Sequence, residues 1–251
     1  MPDMDEALLL GFSEIEHVHW WFVTRRHIVE QAIGTDITDG SRILEVGCGT
    51  GDFLRRLREL FPHAIVNGVE PSDAAVQLAR RRGCSVACGT LEAVPSSGSY
   101  PADLLVALDV LEHCEDDGAA LQSAVSAMSV GGRLVLTVPA LPSLWSPHDD
   151  LNRHYRRYTA PRLARALAAA GLEIERLTYF NTLLLPAAYL TRLASRLTHS
   201  RTLSGVELPS RWVNTGLTAL FSLEVGILRH IDLPVGMSLL AVARKPNGLV
   251  A

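Results

Sequence analysis

The stretch Arg42-Ile-Leu-Glu-Val-Gly-Cys-Gly-Thr-Gly-Asp52 decides the fold. Its opening residues suit a buried parallel strand, glycines follow at alternate positions, and FLRRLREL behind them has helical periodicity. Glycine permits the tight strand-to-helix turn, and its missing side chain lets a ligand approach the backbone. That reasoning serves any nucleotide, so spacing must separate the candidates. Nicotinamide-binding proteins place the third glycine one residue later, as GxGxxG, and here that position is Asp52. The GxGxG spacing puts a carboxylate at the helix N-terminus, where a pyrophosphate needs an open positive end. A nicotinamide oxidoreductase is therefore the weakest reading.

Outward from this loop the chain alternates short apolar runs with helix signals. Strands are predicted at Arg42–Val46, Ile65–Val69, Ser85–Cys88, Leu104–Leu108 and Arg133–Val138, then at Glu173–Phe180 and Met237–Arg244. Ser72-Asp73 caps a helix that stops at Gly83, and Asp116-Asp117 caps one that stops at Gly131-Gly132. Thr159, with Pro161 in the first turn, opens a helix ending at Gly171. This alternation predicts an α/β fold with a doubly wound, mostly parallel sheet. Glu70 ends the second strand, where an acid can accept hydrogen bonds from both ribose hydroxyls of an adenosine.

The segments EVGCGTG, VNGVEPS, CGTLEAVP, ALDVLEH and VGGRLVLTVP resemble, in order, the signatures of class I S-adenosylmethionine-dependent methyltransferases of the small-molecule type. They span residues 42–139. The resemblance implies a seven-stranded Rossmann-like sheet whose last strand is antiparallel, with S-adenosylmethionine as cofactor and S-adenosylhomocysteine as product. It places Gly47, Cys48, Gly49 and Gly51 under the methionine part, Glu70 and Pro71 at the ribose, and Thr90 and Leu91 beside the adenine. Asp109 would lie at the sulfonium end, with His113 touching the cofactor or structuring its loop. Gly89-Thr90 stands where many relatives carry an Asp for the adenine amine, so backbone and hydroxyl groups would read the adenine. Glu45 is a candidate for the methionine ammonium.

Upstream, His17-Val-His-Trp-Trp-Phe-Val-Thr-Arg25-Arg26 resembles the Trp-rich, Arg-ending segment that precedes the glycine loop in such enzymes. Arg25, with Arg26 as alternative, is expected to meet the methionine carboxylate, since a guanidinium pairs well with one. Trp20 and Trp21 are expected at the acceptor, or else in the core. The segment after the fifth strand leaves from the binding edge of the sheet. Its WSPHDDLNRHYRRYT resembles a methyltransferase subgroup that often carries a hydrophobic C-terminal region. His148 and His154 are candidate bases, with Asp149 orienting one of them. Arg157 and Tyr158 are candidate acceptor contacts. Arg156 and Arg157 would otherwise form salt bridges with helix acids. No metal site is expected: a hard cation needs converging oxygen ligands, and Asp149, Asp150 and Asn152 form the one local cluster.

The chain of 251 residues, 48% hydrophobic, is expected to form one domain. Residues 1–41 would form a helical cap and 42–180 the cofactor core. Residues 181–236 would be an apolar insertion with helices near Thr182–Leu197 and Arg211–Ile231, and 237–251 the last strand and tail. A net charge of −4 gives no reason to expect a nucleic-acid partner. The four cysteines show no CxxC spacing, and the acidic start is unlike a signal peptide, so a cytoplasmic location is expected. Without an apolar run long enough to span a bilayer, membrane contact would be peripheral, through the insertion, which could equally form a homodimer face. The favoured activity is O-methylation of a small, lipophilic acceptor. The alternatives are a non-methylating cyclisation or rearrangement, and a non-catalytic partner protein that binds the cofactor.

Overall fold

The computed structural model describes residues 11, 13–35, 37–94, 101–190 and 208–248. Seven strands form one sheet: β1 (Arg42–Val46), β2 (Ile65–Glu70), β3 (Val86–Cys88), β4 (Ala102–Leu108), β5 (Met128–Pro139), β6 (Glu173–Phe180) and β7 (Ser238–Arg244). Their order is β3-β2-β1-β4-β5-β7-β6. β1 to β5 pair in parallel, and β7 runs antiparallel between β5 and β6. The expected seven-stranded α/β sheet with an antiparallel last strand is present.

The helices that bear on the site are α1 (Trp20–Ile33), α2 (Asp52–Leu60), α3 (Asp73–Arg81), α4 (Asp117–Ala127), α5 (Pro147–Leu151), α6 (Ala160–Ala169) and α7 (Arg211–Ile227). They cover both faces of the sheet, which is why the strands read as continuous apolar runs. Along β4, Leu104, Val106 and Leu108 join the core beneath α1, α2, α3 and α7. The intervening Leu105 and Ala107 join the core beneath α4 and α6. Each such leucine or valine, removed from water, stabilises the sheet by about 1.5–3 kcal/mol.

Start signals behave as predicted. The Ala75 amide donates to Ser72 Oγ over 3.4 Å, and the Ala119 amide to Asp116 Oδ1 over 2.9 Å. Thr159 opens α6 without a side-chain cap. One boundary differs: α4 ends at Ala127, and β5 begins at Met128 instead of Arg133. Met128 pairs with Ala102, and the register then shifts, so Gly131-Gly132 mark an irregularity inside the strand. Gly131 there has φ +77°.

Of the predicted insertion, residues 185–190 are helical and residues 191–207 lie outside the described ones. α7 packs on α1, with Phe221 stacked on Trp21 at 5.7 Å and edge-on to Trp20 at 5.8 Å. Its other face exposes Trp212, Val213 and Leu223. Among the described residues, no helix is long and apolar enough to cross a membrane.

Candidate cofactor and acceptor site

A cavity of about 1260 Å³ opens over the carboxyl ends of β1 and β4. The chain order reverses there, since β2 and β3 lie beyond β1 while β5 lies beyond β4. Open α/β sheets bind ligands at this switch point. The volume exceeds the roughly 300–1,000 Å³ of most small-molecule pockets, leaving room for a nucleoside cofactor and a second molecule.

The three glycines of the loop do different jobs. A Cβ on Gly47 would come within 2.4 Å of Val110 Cγ2, at a backbone φ of +69°. Gly49, at φ +53°, has nothing within 4 Å of that position, so the loop presents bare backbone to the cavity. Gly51 does not line the cavity, contrary to its expected place under the methionine. A Cβ there would lie 3.0 Å from Ala79 Cβ and 3.2 Å from Cys84 Sγ, so this glycine lets α2 start close against α3. Gly47→Ala combines left-handed strain with overpacking and should cost about 2–5 kcal/mol. A lowered melting temperature, partly restored by adding Val110→Ala, is the expected result.

Glu70 Oε2 accepts the Gly49 amide over 2.9 Å, and Oε1 accepts the Ser72 amide over 3.0 Å. These bonds fix the carboxylate at the end of β2, where an acid can accept ribose hydroxyls. Glu45 is buried, and its Oε2 has no hydrogen-bond partner among the described residues. Burial pushes the Glu45 carboxyl well above the usual carboxylate range, and Arg25 opposes that shift. An orphaned buried acid beside bare backbone fits an ammonium group, such as the α-amino group of S-adenosylmethionine. Cys48, Pro71, Thr90 and Leu91 complete this end of the cavity.

Arg25 enters from α1 and forms an ion pair with Asp109, which follows β4. Asp109 holds φ +56°, and Thr137 Oγ1 donates to its Oδ1 over 3.0 Å. The left-handed backbone of a non-glycine residue at a cavity is the kind of strain that binding sites retain. Arg26 turns instead to Asp52, at 3.2 Å. Of the two arginines, Arg25 is thus the one beside Asp109. Trp20 and Trp21 line the cavity and also pack inward, Trp21 stacking on Phe180 at 5.9 Å.

The wall after β5 is organised by Asp149. This residue is fully buried behind the wall and does not reach the cavity itself. Arg157 Nε donates to its Oδ1 over 2.7 Å, His154 Nδ1 lies 3.1 Å from the same oxygen, and the Ser146 amide donates to Oδ2 over 2.8 Å. Burial alone would raise the Asp149 carboxyl, but hydrogen bonds from His154, Arg157 and Ser146 hold it below the ordinary carboxylate range. His154 faces His113 edge-on at 4.7 Å, and both rings line the cavity. Burial, and then the neighbouring His154, push the His113 ring down to about 4. His148 also lines the cavity, with the side-chain Nδ2 of Asn152 3.1 Å from its Nε2.

Tyr158 is a correction. It is fully buried away from the cavity, and its hydroxyl donates to Asp117 Oδ2 over 2.9 Å, while burial and that bond push the phenol up. Tyr158→Phe should therefore lower stability by about 1 kcal/mol and leave cofactor affinity unchanged in a parallel titration. Arg156 also leaves the acceptor list, pairing with Asp117 at 3.1 Å. Asp149, Asp150 and Asn152 do not converge on a cation: Asp150 accepts Trp145 Nε1 over 2.9 Å, and Asp149 is sequestered.

Buried polar residues that escaped the sequence reading include Glu112, Asn181 and Glu224. Among the described residues, neither carboxylate oxygen of Glu112 nor Oδ1 of Asn181, both lining the cavity, has a hydrogen-bond partner. Glu224, on α7, accepts the Thr182 and Leu183 amides at 2.8 and 2.7 Å. Glu112 lies within ALDVLEH, between the more conspicuous Asp109 and His113. Nothing local marks Glu224, because its partners are some forty residues away in the chain.

A family model described as a methyltransferase domain matches residues 17–177. Trans-aconitate 2-methyltransferase of Methylobacterium nodulans is 30% identical over 220 residues, covering 86% of this chain and 81% of that protein. Several other curated relatives are matched over about half of their own length or less. A solved S-adenosylmethionine-dependent methyltransferase of Thermotoga maritima superposes with a TM-score of 0.61 at 17% identity, over 96% of this chain and 97% of that one. The 4+2 cyclase SpnF superposes with a TM-score of 0.58 at 22% identity, over 91% and 83%. These likenesses to solved structures concern the fold alone. With the family model spanning the glycine loop, Glu70, Asp109 and the wall after β5, the chain belongs to the class I S-adenosylmethionine-dependent methyltransferases.

Proposed function

We propose that the protein methylates an oxygen of a small organic acceptor held between the glycine loop and the histidine wall after β5. The observation that carries this reading is the orientation of His154 by the buried Asp149. With Nδ1 directed to that carboxylate, the neutral ring turns its Nε2 lone pair outward, as a proton acceptor requires. The cofactor supplies an electrophilic methyl on a sulfonium, a good leaving group. The remaining tasks fall to the protein: aligning donor and acceptor, excluding water and removing a hydroxyl proton. Arg25 and Asp109 mark the inner end of the acceptor space, and His148 and His154 are placed to take the proton. The Trp20 and Trp21 rings give that space an apolar side, which favours a lipophilic acceptor.

The test is a panel of small carboxylic acids, phenols and alcohols incubated with methyl-labelled cofactor. Methylated product and S-adenosylhomocysteine should form in equal amounts, and His154→Ala should lower kcat by about 10²–10⁴. Acceptor conversion without S-adenosylhomocysteine would point to a rearrangement and contradict the proposal.

A further inference from the structure

We infer that Glu112, His113 and His154 form a binding site for a divalent transition-metal cation in the acceptor end of the cavity. One ligand atom from each lies within 4.8 Å of the others. Bonds of about 2.1 Å at tetrahedral angles need donor atoms about 3.4 Å apart, so small side-chain rotations would close the set. Glu112 supplies the independent sign of a missing partner. It is fully buried, it lines the cavity, and among the described residues neither of its oxygens accepts a hydrogen bond from another residue. A carboxylate in such a place is costly unless it is paired or ligates a cation.

The surroundings of both histidines match the demands of metal ligands. His154 is held through Nδ1 by Asp149, which is fixed in turn by Arg157 and Ser146. That leaves Nε2 as the nitrogen to bind, in the carboxylate–histidine arrangement that orients metal-ligating imidazoles. The His113 ring is likewise tied to the Asn152 backbone. Two imidazoles and one carboxylate favour zinc, cobalt, nickel or iron over magnesium or calcium. Three protein ligands leave coordination positions directed into the cavity. This deepens the proposed function and rests on it in one respect: an acceptor with a hydroxyl or carboxylate oxygen would suit those open positions. Without an ion His154 is the proton acceptor of the proposed function; with one bound it serves as a ligand, and His148 on the same wall takes the proton.

The full chain titrated with cobalt(II), followed by visible absorption, and with zinc(II), followed by calorimetry, tests the inference. One ion should bind per chain at micromolar or tighter affinity, with the intense visible bands of four- or five-coordinate cobalt. Glu112→Gln, which keeps the side-chain shape, should weaken binding about tenfold or more. His154→Asn should do the same, with circular dichroism confirming that each variant is folded. If a variant does not fold, the wild-type cobalt spectrum decides, since surface histidines would give only weak, octahedral-type absorption. Absence of stoichiometric binding, or equal affinity in the wild type and both folded variants, overturns the site. S-adenosylhomocysteine is titrated into the same preparation. Cofactor binding without metal binding defeats only this inference, and metal binding without cofactor binding defeats only the reading beneath it.

Discussion

Glu70→Ala weakens S-adenosylhomocysteine binding by roughly 100-fold or more in calorimetric titration. Two hydroxyl bonds to a charged acceptor contribute about 1.5–3 kcal/mol each, and about 1.4 kcal/mol corresponds to tenfold in affinity. The substitution also frees the Gly49 and Ser72 amides, both of which donate to this carboxylate. Part of the loss is therefore disorder of the loop, and Glu70→Gln separates the two contributions. Glutamine keeps one acceptor and the side-chain shape, so its affinity should fall between those of wild type and alanine. Unchanged affinity in Glu70→Ala would remove the principal support for the placement of the ribose.

Asp149→Ala produces the largest loss of stability. Removing one partner of a buried ion pair costs about 3–5 kcal/mol, because the remaining charge stays buried and unpaired. In this wall that charge is Arg157, with His154 and the Ser146 amide also losing their acceptor. For a chain of this size the melting temperature should fall by about 10 °C. The effect depends on pH in a defined direction. The folded carboxyl titrates below its unfolded value, so its contribution is fully present above the unfolded pKa of about 3.9 and is lost as pH falls through the folded one. Thermal melts of wild type and variant should therefore differ most above about pH 4 and converge as the pH drops further. A constant gap across that range would show that Asp149 is not ionised in the folded protein.

Much of the fold was legible in the sequence because both periodicities were strong. Six of the seven strands lie within two residues of their predicted bounds, since β-strands covered on both faces carry unbroken apolar runs. β5 is the exception. Met128-Ser-Val130 followed by Gly-Gly reads as a helix end, and only the pairing of Met128 with Ala102 makes it strand. The cofactor half of the site was also legible, because loop, turn and strand-end acid are local features with fixed spacing. The acceptor half was less so. Asp149, Arg157 and Tyr158 look alike in a polar loop, yet Asp149 and Tyr158 are buried and Arg157 reaches the cavity. Which residues turn inward depends on their packing against Glu112, Asp117 and Ala140, on other elements. For the same reason the histidine wall, in which His113 and His154 meet across forty residues of chain, has no signature along the sequence.

Cofactor binding is the central claim, since the acceptor chemistry and the metal site both presuppose the cavity that holds it. Calorimetric titration of the purified protein with S-adenosylhomocysteine, and separately with NADH, is the most direct test. Micromolar binding of S-adenosylhomocysteine at one site per chain, with no binding of NADH, is the predicted result. Failure to bind S-adenosylhomocysteine, or comparable binding of NADH, would contradict the roles of Glu45, Gly49 and Glu70 in holding the methionine and ribose ends of the cofactor.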